Sequence, residues 1–518
     1  MGGLGNPHKI KGMVLIPGLP IVGNTFQLIN NPAKKCIEWS KKYEASIFQI
    51  RLGIKRIVVV NSFEDVQNIW LKNSRATNSR PVLYTFHHIV SSTQGFTIGS
   101  TPEGPSFQRK KKAISMLLNY RSVMDLSDVI DNETRYTIRK LITKNSELSG
   151  PPSCNMFRYV RTELADINLM PYGQLFALRS SIFITYGFYL DCYNKDAKLA
   201  QEIINVENKI IRFRSPISNL RDFLPFLRYI PGMESKADLF GKKRNEYMNH
   251  LFRILKKKLA LGESLAMNSL VGQLLASEKN KLTTSEIQSV CLTMVSAGLD
   301  NTPLNFNHVM GHLSQPYGES IQEKVFAEIL SKSNNDICIA WDNLAHSMDC
   351  EYLKAVIKET LRYFTVLPLS LPRTTTKDIS YKGAKIPKNT TLFMNAYAAN
   401  HDSKVFPYPD VFIPDRWIDP ISKTVISKGE LFHFSFGAGS RMCSGNHLAF
   451  KELYTLTGRM ILFFKIKPPV GDTKMLLDPF ENNEHPRATS FEPKLFKVRL
   501  EPRFHDGSND LYNKILKT

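Results

Sequence analysis

Apolar positions recur with two different periods along this chain. Residues 47–60, Ile-Phe-Gln-Ile-Arg-Leu-Gly-Ile-Lys-Arg-Ile-Val-Val-Val, are rich in β-branched side chains and broken once, at Gly53, which predicts two antiparallel strands around a turn. A second strand-rich patch spans Ile379 to Asn395, with Lys382-Gly383 and Pro387-Lys388-Asn389 as its turns. Most of the sequence between these patches reads as helix. The best-marked helix begins near Thr283: Thr283 and Glu286 have the spacing of a capping box, and Ile287, Val290, Leu292, Val295 and Leu299 follow. Gly298 and Pro303 lie inside its apolar run, where each weakens a helix by about 1 to 3 kcal/mol relative to Ala. The expectation is a helix kinked or locally opened there. Another helix runs from about Cys350 to Phe364, with Leu353, Val356, Ile357 and Leu361 on one face. Upstream, Pro17-Gly18-Leu19-Pro20 and Ile21-Val22-Gly23-Asn24 read as a stiff strap ending in a turn. No internal repeat or mid-chain linker interrupts the pattern. The expected organisation is a basic lead and proline-rich strap over residues 1–24, then a single domain over 25–518, mainly α with a small β region.

Composition narrows the classes. With 42% hydrophobic, 22% charged and 10% aromatic residues, the 518-residue chain is an ordinary globular protein rather than a disordered, collagenous or coiled-coil one. The 68 Lys and Arg against 47 Asp and Glu leave a net charge of +21, suited to an acidic protein, a membrane surface or a polyanion. No nucleic-acid motif or basic–aromatic array accompanies that charge, so nucleic acid is not expected as a partner. Seven cysteines, an odd number without a C-x-x-C pair, indicate neither a disulfide framework nor a zinc ribbon. The early apolar run Met13 to Ile16 is far short of the roughly 20 residues that span a bilayer. Met1-Gly2-Gly3-Leu4-Gly5-Asn6 has Asn6 where a myristoylation site has Ser or Thr. The expected location is intracellular, either cytoplasmic or peripheral on the endoplasmic reticulum membrane.

The chemistry concentrates in Phe434-Ser435-Phe436-Gly437-Ala438-Gly439-Ser440-Arg441-Met442-Cys443-Ser444-Gly445, followed by the helix-like Asn446-His447-Leu448-Ala449-Phe450. A cysteine in a glycine-rich loop before a helix has backbone N–H groups and the positive helix end near its sulfur, which favours a thiolate. A lone cysteine in a tight turn is more often an inert, buried one. The surrounding pattern alters that balance. Phe436, Gly439, Arg441, Cys443 and Gly445 satisfy F-x-x-G-x-R-x-C-x-G, which resembles the haem-binding loop of the cytochrome P-450 family. The resemblance implies a cytochrome P-450 fold around a buried haem b, with Cys443 as axial iron ligand, Phe436 beside the haem, Arg441 on a propionate, and Gly439 and Gly445 allowing close backbone approach. It extends to Glu359-Thr360-Leu361-Arg362, an E-x-x-R pair, and to Phe412-Ile413-Pro414-Asp415-Arg416-Trp417. Glu359, Arg362 and Arg416 would then form a structural triad without a catalytic role. Arg373 lies where family members often bind a propionate, the alternative being a solvated strand edge, and Val366, Leu367 and Leu369 would face the substrate. The family's Trp-x-x-x-Arg is replaced by Arg109-Lys110-Lys111-Lys112, among which no propionate partner is singled out.

Ala297-Gly298-Leu299-Asp300-Asn301-Thr302 resembles the family's A-G-x-D-T-T segment. The resemblance implies that Gly298 leaves room for dioxygen and substrate and that Asp300 relays protons. Asn301 departs from it, standing where the family uses a threonine in proton delivery, and Thr302 sits one residue, roughly 100° of helical rotation, away. The alternative for Asn301 is a plain hydrogen bond within the helix.

Across most of the chain, from Gly2-Gly3-Leu4-Gly5-Asn6 and Pro17-Gly18-Leu19-Pro20 through Arg80-Pro81, Ser91-Ser92-Thr93-Gln94-Gly95-Phe96-Thr97, Pro372-Arg373-Thr374 and Phe393-Met394-Asn395-Ala396, the sequence is similar to the fungal phenylacetate hydroxylases. That resemblance implies a haem-thiolate monooxygenase inserting one atom of O2 into a small metabolite, with electrons from NADPH through a separate NADPH-cytochrome reductase. The substrate would be an arylacetic acid, hydroxylated on its ring. Only 518 − 443 = 75 residues follow Cys443, too few for a fused reductase. Three alternatives stay open. One is oxidation of a cyclic dipeptide (cyclo-Leu-Leu) in pulcherrimin-type secondary metabolism. Another is haem-thiolate peroxide isomerase or dehydratase chemistry, and the last is haem binding without turnover. Peripheral membrane contact also stays open.

Overall fold

The computed structural model describes residues 8–92, 95–148, 166–192, 194–215, 219–230, 232, 235–277, 282–426, 429, 431–470, 475–504 and 510–516. The Met1–Asn6 stretch weighed as a lipidation site lies outside them, as do Thr93 and Gln94. The β-branched run folds as expected: Ile47–Leu52 pairs antiparallel with Lys55–Val60, with Ile47 opposite Val60 and Leu52 opposite Lys55, and Gly53 turns the chain at φ +51°. The second patch divides between two sheets. Ile379–Tyr381 and Ala384–Ile386 form their own hairpin, while Thr391–Met394 joins Lys55–Val60 in parallel. Arg373–Thr374 closes that sheet beside Thr391–Met394, and Val14–Leu15, just ahead of the strap, opens it beside Ile47–Leu52. The strap then turns back at a bridge between Leu19 and Gly23.

Helices make up the rest, around one spine. Thr284–Leu313 is a single helix capped by Thr283, whose Oγ1 accepts from the Glu286 N–H while Glu286 Oε2 accepts from the Thr283 N–H, at 3.2 and 3.0 Å. Its first half, Ile287 to Leu299, packs in one hydrophobic core with Phe107, Ile114, Ile182, Ile203 and Leu448. Its second half, Phe306 to Leu313, packs in another with Trp341, Val356, Tyr454 and Met460. The helix is continuous through Gly298 and Pro303, so the local opening expected from those residues does not occur. Their physical reason is packing against Met170–Tyr186. A side chain on Gly298 would overlap Ser181 Oγ, and one on Gly173 would press on Phe306 and Pro303. Gly298 therefore lets two helices approach closely.

The expected helix at Cys350 spans Glu351–Phe364 and buries Leu353, Val356, Ile357 and Leu361. Among the described residues, no helix is long and apolar enough to cross a membrane.

Candidate functional site

The glycine-rich loop is folded by its own main chain. The Gly437 N–H donates to Phe434 O at 2.7 Å, the Met442 N–H to Gly439 O at 3.0 Å, and the Cys443 N–H to Phe436 O at 2.9 Å. Gly437 and Gly439 take φ values of +73° and +61°, which L side chains rarely adopt. Gly439 also lies so close to the Trp70 carbonyl that any side chain would overlap it. Its absent Cβ faces protein backbone, not a cofactor. Gly445 is different, because a Cβ there would lie 3.9 Å from Cys443 Sγ, and the helix Asn446–Phe463 starts immediately after it. Phe436 is half-buried beneath the loop, 6.0 Å from the His433 ring.

Cys443 is accessible even though protein encloses it deeply, the combination expected of a residue lining an interior space. Burial raises its thiol above the ordinary range, and the Gly445 N–H only partly opposes that. The backbone donors that the sequence suggested would hold a thiolate therefore do not suffice alone. A bound cation is what would ionise this sulfur.

Beside the loop stands a wall of buried positive charge. Arg373 is 2% exposed, so a solvated strand edge is excluded; it donates to Ala438 O of the loop and to Thr77 O. Arg441 donates through Nε to Asn78 O at 2.5 Å and stacks on the Phe107 ring, 3.3 Å from its centroid. Among the described residues its Nη1 and Nη2 are buried without a hydrogen-bond partner, and the Glu103 carboxylate stays 3.9 Å away. Arg80 donates to Leu371 O and Pro372 O at 2.6 and 2.8 Å and leaves its Nε unpartnered. Lys111 donates to Ser440 O. Burial, then mutual repulsion, pushes Arg80 down to about 9 and Arg373 well below its ordinary value. Burial brings Arg441 to about 10 against the opposing pull of Glu103. Three buried arginines and a half-buried lysine facing one distant carboxylate call for an anion of more than one charge. A haem carrying two propionates beside a cysteine sulfur fits these residues. The basic run is thereby sorted: Arg109 pairs with Glu286 at 2.7 Å, Lys110 is held by Phe96 O, Thr101 and Ser289, Lys112 is exposed, and Lys111 belongs to the wall.

Facing the interior from the spine is a narrow stripe. Within an otherwise buried stretch of helix, Thr293, Ala297 and Asn301, each four residues apart, keep accessible surface, and so does Gly298. Asn301 Nδ2 donates to Ala297 O at 3.3 Å, while its Oδ1 is buried without a partner among the described residues. Asp300 is buried, its Oδ2 3.8 Å from Arg214 Nη1, and burial raises its carboxyl to about 7 against the opposing pull of Arg214. Thr302 faces elsewhere: its hydroxyl donates to Glu452 Oε2 at 3.1 Å, and burial lifts that carboxyl to about 7. The spine is thereby tied to the helix that follows Cys443. Leu369 lines a cavity with Ser215, Thr489 and Phe491, whereas Val366 packs on Phe364 and Tyr397.

The charged triad forms. Glu359 accepts from Arg362 Nε and Nη2 at 2.9 and 2.8 Å, from Arg416 Nε at 3.2 Å, and from the Trp417 indole at 2.9 Å. It locks the segment before the loop and touches no reacting group. Sequence reasoning missed Arg80, Arg214 and Glu452 as contributors to the site, and left Lys111 unsorted within its basic run. Arg80 carries a local signal, the following Pro81, but nothing in a one-dimensional pattern brings these four together.

Residues 15–491 match the family model described as Cytochrome P450. The chain is 39% identical over 497 residues to the phenylacetate 2-hydroxylase of Emericella nidulans, covering 96% of this chain and 91% of that protein. It is 32% identical to the 3-hydroxyphenylacetate 6-hydroxylase of the same organism, covering 96% and 90%. It is also 33% identical to a cytochrome P450 monooxygenase of Mycosarcoma maydis, covering 94% and 86%.

Proposed function

The chain belongs to the cytochrome P450 family, and from that membership we propose that it hydroxylates the aromatic ring of an arylacetic acid. It is an oxidoreductase of a family that binds haem through a cysteine thiolate and uses O2 with electrons from a reductase. Bound haem supplies the reductive activation of O2 from which one oxygen atom is inserted. The proposal gives the protein's own residues the following parts. Cys443 ligates the iron, its sulfur ionised by the metal rather than by the loop. Arg441 and Lys111 take the propionates, with Arg80 behind them. Arg373 holds the loop through Ala438. Asp300, with a carboxyl near 7, holds a proton that it can release and regain at neutral pH. Asn301 positions a donor against its free Oδ1, and Thr302, engaged by Glu452, stays out of that exchange.

The observation that carries the haem assignment is the accessible, enclosed sulfur beside a buried wall of cations that lacks a counter-ion. The substrate class rests on two relatives whose names give phenylacetates as substrates. One observation favours a second reading. The unpartnered Asn301 Oδ1 is an acceptor suited to an N–H, which a cyclic dipeptide carries and phenylacetate lacks. The test is turnover of the haem-loaded protein with NADPH and an NADPH-cytochrome reductase. Phenylacetate should yield a ring-hydroxylated product coupled to NADPH consumption, and Cys443→Ser should abolish both this and the thiolate-type spectrum of the reduced carbon monoxide complex. Product from cyclo-Leu-Leu and none from arylacetates would instead select the second reading.

A further inference from the structure

Arg214 directly follows the helix Ala197–Phe213 and precedes Ser215, which lines the cavity shared with Leu369, Thr489 and Phe491. Its side chain is enclosed by protein yet 17% accessible, so it too borders an interior space. Nη2 donates to Ser296 Oγ, the residue next to Ala297 of the accessible stripe. Nε is buried without a partner among the described residues. The Asp300 carboxylate is 3.8 Å from Nη1, beyond hydrogen-bond length. Glu207, the other carboxylate nearby, is fully used: Arg244 Nε and Nη2 donate to it at 2.7 and 2.6 Å, and the Tyr247 hydroxyl at 2.7 Å. Asp300, near half-protonation at neutral pH, is also a weak counter-ion. The guanidinium carbon lies 5.3 Å from the Phe86 ring centroid, and Phe86 continues edge-on into His87 and Phe96. A half-buried guanidinium with a donor left over beside the accessible stripe is a receptor for the carboxylate of a small acid.

We propose that Arg214 binds the carboxylate of the arylacetic substrate, with the substrate's ring held against the accessible Ala297 stripe. This rests on the arylacetate reading above. The substrate takes the donors that Asp300 does not reach, so acid and neutral analogues of equal shape are distinguished at this residue.

The experiment is a Soret titration of the haem-loaded protein with phenylacetate and with phenylacetamide, in wild type, Arg214→Gln and Arg214→Lys. Each protein is first checked for an intact carbon monoxide spectrum. Wild type should prefer the acid. Arg214→Gln should weaken phenylacetate by about 10- to 100-fold and leave phenylacetamide unchanged, and Arg214→Lys should recover part of the loss. Unchanged binding of phenylacetate by Arg214→Gln, or equal weakening of acid and amide, would overturn the inference, the second showing Arg214 to be purely structural. If Arg214→Gln does not load haem, Arg214→Lys decides alone, through a fall in the acid-to-amide preference. Wild type that binds no arylacetic acid overturns the proposed function itself. Wild type that hydroxylates phenylacetate while Arg214→Gln binds it equally tightly overturns only the role of Arg214.

Discussion

Asp300 shows how one side chain acquires its chemistry from burial. Its folded pKa, near 7, lies above the ordinary 3.8, so the native state keeps a proton that the unfolded chain has lost between these values. Stability therefore falls as pH rises from about 4 to about 7, then levels off. Asp300→Asn should remove that slope, and urea unfolding at about pH 5 and about pH 8 should show wild type losing about 1–3 kcal/mol more than the variant. The same substitution should slow turnover and, by removing a carboxylate beside Arg214, should not weaken phenylacetate binding. At the next residue, Asn301→Thr replaces an amide with a hydroxyl able both to donate and to accept, and should raise the fraction of NADPH consumption that yields product. Cys443, Asp300 and Asn301 were singled out by their motifs. The protonation of Asp300 was not legible, since it depends on Arg214, Glu207 and the depth of the surroundings, which are remote in sequence.

Elements were read most securely where a local pattern fixes them. The two strands around Gly53, the capping box at Thr283 and the helix after Cys350 follow from turn chemistry, cap geometry and apolar period. The packing partners of the glycines were not legible, because a missing side chain does not reveal what occupies its place. Gly298 accommodates Ser181, and Gly439 accommodates the Trp70 carbonyl. Gly439→Ala should therefore act through the fold. It combines a left-handed backbone with a clash against a carbonyl that cannot rotate away, and should destabilise the protein by roughly 2–4 kcal/mol. Thermal unfolding would read this loss, accompanied by poorer haem retention. Gly298→Ala meets only a hydroxyl that can turn, so it should cost about 1 kcal/mol or less, and Ser181→Ala should relieve that cost.

For the whole molecule, the buried cations make folding and haem binding opposed in sign. Arg441, Arg80, Arg373 and Lys111 repel one another until an anion arrives, so the haem-free protein bears their electrostatic cost. Arg441→Met should leave the haem-free form as stable as wild type or up to about 1 kcal/mol more stable, while weakening haem retention by about tenfold. Unfolding followed with and without haem would separate the two effects. The net charge of +21 has a partial explanation in this wall. What the sequence determined by itself was the class of chemistry, because a thiolate loop needs its glycines, arginine and cysteine within ten consecutive positions. It also determined the main helices and the first hairpin, whose signals are local. Only the tertiary structure decided which of the basic residues gather beside the loop, that Thr302 serves Glu452, and that Arg214 Nε is left without a partner among the described residues. Those outcomes depend on charges brought together from opposite ends of the chain, and the cost of burying a charge exists only once the fold has enclosed it.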